Sequence, residues 1–226
     1  SLGGCGQPGA GKKSTDSTQQ AEEQTWDTKD DQSKSDKKGP EIEGLTYEST
    51  MDLTYATEFD VYYYKDGYKL LDVHEDRQYL VVPEGKEAPE GLPENLVVLQ
   101  QPLDHIYMAA TAIMSLVDAV DAIDQVKFSG VNASGWYVED AKKAMESGDM
   151  IYAGKYSEPD YETLVNGECD LAVESTMILH TPKVQEMIED LDIPVFVDYS
   201  SYESHPLGRT ESVSYTHLTL PTNSRV

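Results

Sequence analysis

The chain is poor in cysteine, in basic residues and in long apolar runs, and each shortage excludes something. Its 226 residues include 2 Cys, 3 Phe and 2 Trp. Cys5 and Cys169 stand far apart, so the chain carries no dense disulfide framework of the kind that staples small secreted domains. No segment approaches the ~20 apolar residues that a bilayer-spanning helix requires, and membrane attachment would have to be through lipid. Lys and Arg number 17 against 42 Asp and Glu, a formal net charge of −25. Such a surface repels polyanions, which argues against nucleic acid and anionic headgroups as partners. It suits cationic or metal-bearing ligands, and it suits solubility equally well.

Catalytic signatures are missing too. Across residues 96–211 neither Gly-x-Ser-x-Gly nor Gly-x-Gly-x-x-Gly occurs, and no nucleophile, base and orienter can be assigned from spacing, so the chain is expected not to be an enzyme. The run Gly6 to Lys12 imitates the start of a phosphate-binding loop. Lys13 then stands where that loop needs Ser or Thr, and no strand precedes it.

What is present divides the chain. Residues 1–43 form a polar stretch with little to bury beyond Trp26, read as a disordered tether of roughly 35 Å r.m.s. span. Residues 44–95 turn to β-branched and aromatic types. There Tyr62-Tyr63-Tyr64-Lys65-Asp66-Gly67-Tyr68 sets an Asp-Gly turn between two strands, a small β-hairpin or meander whose tyrosines are read as cross-strand packing. Pro83 to Pro93 reads as a linker.

Residues 96–211 alternate strands and helices. Leu96 to Leu99 is a continuous apolar run, expected as the first strand. Ile106, Ala110, Ile113, Val117 and Val120 recur at helical spacing, which predicts a helix from Asp104 to about Ala122. Strands follow at Val126–Phe128, Met150–Tyr152, Asp170–Glu174 and Pro194–Val197, and helices at Val138–Ser147, Asp160–Val165 and Thr181 to about Leu191. In the last of these, Thr181-Pro182 supplies an N-cap and a proline at the first helical position. The predicted fold is α/β, a Rossmann-like lobe with a mainly parallel five-stranded sheet. Ligands of such sheets bind beyond the carboxyl ends of the strands. That rule gathers Gln101, Asp104, Trp136, Lys155, Tyr156, Glu174, Ser175, Thr176, Tyr202 and Arg209 as candidate ligand contacts. His105, His180 and His205, with Asp104 or Glu174, form an alternative divalent-metal set. Cys169 reads as a small buried residue at a strand start.

Two resemblances add to this. Leu2-Gly3-Gly4-Cys5 resembles the bacterial lipobox, in which a peptidase cuts before the cysteine and its thiol takes up diacylglycerol; this implies that Cys5 is lipidated and that the sequence starts just inside a precursor with a signal peptide. Pro159-Asp160-Tyr161-Glu162-Thr163-Leu164, followed by Gly167-Glu168-Cys169-Asp170-Leu171-Ala172-Val173, resembles the iron-complex and cobalamin type of substrate-binding lipoprotein from ABC importers. Val97 to Pro102 resembles that family's first strand and loop. Ser201 to Glu211 resembles the segment leading into its connecting helix. The resemblance implies an extracytoplasmic, lipid-anchored binder of a ferric siderophore, haem or corrinoid, with no other cofactor. It implies two lobes and an ABC permease as partner, with Glu162 as the first-lobe docking acid. Only one lobe is expected in this sequence, and residues 212–226 read as a non-native tail. The rival expectations are a Zn- or Mn-binding lipoprotein and a cell-surface Rossmann-like hydrolase.

Overall fold

β-branched and aromatic residues dominate the first half of the chain, and they build a complete sheet of their own. The structure is a computed structural model that describes residues 37–74, 76–119, 121–204, 207, 208 and 211. Cys5, the stretch up to residue 36, His205, Arg209 and the 212–226 segment lie outside the described residues. Strands β1 (Tyr47–Thr50), β2 (Phe59–Tyr64), β3 (Lys69–Val73), β4 (Gln78–Val82) and β5 (Leu96–Gln100) lie side by side in chain order. Pairing is antiparallel up to β4, and β5 then runs parallel to β4. At the expected Asp-Gly turn, Asp66 has φ 65° and Gly67 φ 85°, a left-handed pair that Gly and Asp adopt at low cost. Alternation along the strands sends Val61, Leu71, Tyr79 and Val81 to one core and Tyr62, Leu70, Leu80 and Val82 to another. Both faces are covered, which accounts for the near-continuous burial of the tyrosine row.

The second sheet contains β6 (Ile106–Met108), β7 (Val126–Ser129), β8 (Ile151–Tyr152), β11 (Leu171–Ser175) and β12 (Val195–Asp198). Between β8 and β11 lies a small hairpin, β9 (Gly154–Lys155) with β10 (Glu158–Pro159). Among the described residues, helices with complete ranges are α1 (Met114–Ala119), α2 (Glu139–Ser147), α3 (Tyr161–Asn166) and α4 (Pro182–Glu189). All pairings among the five strands are parallel, in the spatial order β12-β11-β6-β7-β8. Numbered by appearance within the sheet, this is the doubly wound order 3-2-1-4-5. Side chains of α1 and α2 and the inner face of the first sheet pack on one side, and those of α3 and α4 on the other.

Two expectations are corrected here. Leu96–Gln100 is a strand, yet it closes the first sheet instead of opening the second, so the boundary expected at residue 96 runs through a strand pair. The helix expected from Asp104 to Ala122 begins instead with β6, then one 3-10 turn at Thr111–Ile113, then the short α1. Ile106, Tyr107 and Met108 are all buried because β6 has a strand on each side and packing on both faces. Such a run has no alternation to announce it. A smaller difference concerns Thr181. It holds the N-cap position ahead of Pro182, but its hydroxyl donates back to the Ile178 carbonyl (3.3 Å) and caps nothing.

The two sheets share one compact unit, joined along β12. Val197 points its N–H away from the parallel sheet, and the Tyr79 hydroxyl on β4 accepts it at 3.3 Å while donating to Asp76 at 3.0 Å. The Tyr79 ring lies 4.8 Å from that of Phe196, and Arg77 bonds Glu189 of α4 at 2.7 Å. Replacing Tyr79 by Phe removes an acceptor from a buried N–H and a donor from a half-buried carboxylate. Tyr79→Phe is expected to lower stability by about 1–3 kcal/mol, read as a lower urea midpoint at unchanged m-value.

Candidate functional site

The strand order fixes where a ligand crevice can open. β6 and β11 are neighbours whose connections leave in opposite directions, so their carboxyl ends mark the switch point of the sheet. The strand ends there pack closely. The Ala109 and Ala110 N–H groups share the Val173 carbonyl (2.9 and 3.2 Å), and Gly130 donates to the Met108 carbonyl at 2.8 Å. A Cβ at Gly130 would lie 2.8 Å from the Ala109 Cα, which is why only glycine fits.

The chain leaving β7, β8, β11 and β12 at this edge presents apolar or aromatic surface. After β7, the structure separates Trp136 from its expected role: it is 2% exposed, and its Nε1–H donates to the Ser129 hydroxyl at 2.9 Å. Trp136 is a strut, and its neighbour Tyr137, 98% exposed, is the residue offered to solvent. At the end of β8, Tyr152 is exposed; in the hairpin beyond it, Lys155 pairs with Glu158 at 3.0 Å and Tyr156 is half-buried. After β11, Ser175 and Thr176 are half-buried, the Ser175 hydroxyl accepts the Met177 N–H at 3.3 Å, and the Met177 side chain is exposed. After β12, Tyr202 is 57% exposed with its ring 5.5 Å from that of Tyr199. Tyr137, Tyr152 and Met177 escape the sequence reading because no motif marks them. The available signal is position alone, an apolar residue in the stretch that follows or closes a strand at its carboxyl end.

Glu174 is fully buried in β11, and among the described residues neither carboxylate oxygen has a hydrogen-bond partner. Burial alone pushes its pKa up to about 8. Tyr107, whose hydroxyl donates to the Gly154 carbonyl at 2.8 Å, and Tyr161 on α3 both feel this group. At neutral pH Glu174 is therefore a protonated, enclosed acid.

Gln101 and Asp104 do not join the carboxyl edge. Gln101 closes β5, its N–H donating to the Val82 carbonyl at 2.9 Å, and Asp104 and His105 precede β6, at the opposite end of the parallel sheet. The expectation placed them after a strand of the wrong sheet. There the Asp170 carboxylate accepts the N–H of Asp104 (3.0 Å) and of His105 (3.1 Å), while His105 Nδ1 lies 2.7 Å from Asp104 Oδ1. Ligand atoms of Asp104, His105 and Asp170 all fall within 4.8 Å of one another. His180, expected in a metal set with His105, is exposed beyond β11 and is not in this group. Glu162 is exposed on the first turn of α3, whose N-cap Asp160 accepts from the Thr163 N–H (3.0 Å) and hydroxyl (2.7 Å). Cys169 is buried, and burial pushes its thiol up to about 12. Arg209 and Cys5 lie outside the described residues.

No protein-family model matches the chain. It is similar to an uncharacterized lipoprotein of Methanocaldococcus jannaschii, 25% identical over 138 residues, which cover 56% of this chain and 31% of the relative. Among solved structures it is similar to holo-ViuP, with 19% identity and a TM-score of 0.34 over 51% of this chain and 40% of that one. The chain thus spans about a third of the lipoprotein's length and two fifths of the solved chain's. No described helix is long and apolar enough to cross a membrane.

The buried acid makes stability pH-dependent in one direction. In the unfolded chain Glu174 ionises near its ordinary value of about 4.3; in the folded chain it holds its proton to about 8. Its neutral form leaves stability intact below about pH 4. The penalty grows as pH rises to about 8, where it levels off at several kcal/mol. Glu174→Gln is expected to flatten this alkaline decline, measured as urea midpoints between pH 5 and 9.

Proposed function

We propose that this chain is the first lobe of an extracytoplasmic, lipid-anchored substrate-binding protein serving an ABC importer, and that its ligand is a ferric siderophore, haem or corrinoid. The observation that carries the reading is the carboxyl edge of the doubly wound sheet, where Tyr137, Tyr152, Met177 and Tyr202 stand exposed on successive loops. Exposed aromatic and thioether side chains around a switch point suit capture of a bulky ligand with extended ring surfaces. The role is binding and not catalysis. Glu162, exposed at the start of α3, is the docking acid for a permease arginine, a pairing that a carboxylate near a helix N-terminus favours. Lipidation of Cys5 is supported by its lipobox-like setting and by the name of the archaeal relative.

A second reading, direct capture of a divalent metal, is favoured by one observation, the convergence of Asp104, His105 and Asp170. Metal analysis of protein purified without chelator separates the two, since stoichiometric zinc or manganese lost in His105→Ala supports metal capture.

Calorimetry of the full natural protein against ferric catecholate and hydroxamate siderophores, haem and cobalamin is expected to show at least one ligand bound at about micromolar Kd or tighter, that is roughly −8 kcal/mol. Absence of heat with every one of them removes the proposal. In cells, Cys5→Ala is expected to move the protein from the membrane fraction to the soluble one.

A further inference from the structure

The loop between β1 and β2 is held in an unusual way. Five successive backbone N–H groups, Thr54 to Glu58, donate to only two carboxylates. Glu211 accepts from Thr54 (2.7 Å), Tyr55 (2.6 Å) and Ala56 (2.7 Å). Glu203, itself buried, accepts from Thr57 and Glu58 at 2.8 Å and from the Thr57 hydroxyl at 3.2 Å. Bonds from N–H to a charged acceptor are about twice as strong as neutral ones, and a row of N–H groups is a natural seat for negative charge. Gly208 completes the seat: a Cβ there would lie 2.8 Å from the Tyr55 carbonyl oxygen.

These carboxylates belong to the segment that leaves the carboxyl end of β12, and Glu203 directly follows the exposed Tyr202. The stitching therefore brings a loop of the first sheet to the same edge as Tyr202. Leu53 and Ala56 of that loop turn inward and are buried, while Tyr55 between them stays 41% exposed.

We propose that the β1–β2 loop forms a further wall of the ligand site, with Tyr55 contacting the ligand and setting its specificity, and with Glu203 and Glu211 as positioning residues. This rests on the reading of the carboxyl edge as a site for a ligand with extended ring surface. Tyr55 adds an aromatic face delivered from outside the parallel sheet, so the first sheet takes part in recognition as well as in packing.

The test uses the full natural protein and the same four probes: ferric catecholate, ferric hydroxamate, haem and cobalamin. For whichever probe the unaltered protein binds, Tyr55→Ala is expected to weaken affinity about tenfold at unchanged melting temperature, and Tyr55→Phe to retain it within about threefold. Glu203→Gln is expected to speed amide exchange at residues 54–58 and to weaken the same probe, while Glu203→Asp restores part of both. Binding by the unaltered protein that Tyr55→Ala leaves intact overturns this inference alone. Failure of the unaltered protein to bind any probe overturns the ligand-site reading, and this inference with it.

Discussion

Among the described residues, β12 has a strand on one side only, and the first sheet packs against its other side. An open edge beside a buried core presents unpaired N–H and C=O groups that must be covered or paired. Here the cover comes from the first sheet through the Tyr79 hydroxyl on Val197, the Tyr79 ring on Phe196 and the Arg77–Glu189 pair. Once β4 is fixed against β12, the inner face of the first sheet shares a core with α1 and α2, and its β1–β2 loop reaches the carboxyl end of the second sheet. Protection of one strand edge thereby decides the place of roughly half of the described structure.

Burial is distributed differently around the two edges of the parallel sheet. At the amino edge, polar groups satisfy one another: Asp170 takes the N–H groups of Asp104 and His105. At the carboxyl edge, large apolar side chains face solvent while a carboxylic acid, Glu174, lies enclosed without a hydrogen-bond partner among the described residues. Stability alone would reverse this pattern, because it leaves apolar area in water and a polar group out of it. Departures of this kind cluster where a protein meets something else.

Most of the α/β alternation is legible in the sequence where elements carry local signals. Gly148, with φ 83°, ends α2 and Asp160 caps α3; Pro182 opens α4. β6 is illegible for a physical reason, since three fully buried residues followed by apolar positions at helical spacing satisfy both periods. Taking β5 as the first strand of the parallel sheet in its place assigns Gln101 and Asp104 to a carboxyl edge they do not join, and it hides Ala109 and Ala110, which flank the switch point. Trp136 and Tyr137 are adjacent, and only packing decides that the larger ring turns inward to Ser129. The carboxylate seat beneath Thr54 to Glu58 had no sequence signal, because its partners are separated by 145 to 157 positions.

That separation bears on how the chain reaches this structure. The first sheet comes first in the chain, but the hydrogen-bond acceptors of its β1–β2 loop, Glu203 and Glu211, and the strand that seats β4, β12, lie far beyond it. Contacts of such long range impose a closure entropy before they return any energy, and they slow folding. An emerging chain therefore holds an unfinished sheet until its distant partner is delivered. The two halves of the described structure are tied by contacts that only a nearly complete chain can make.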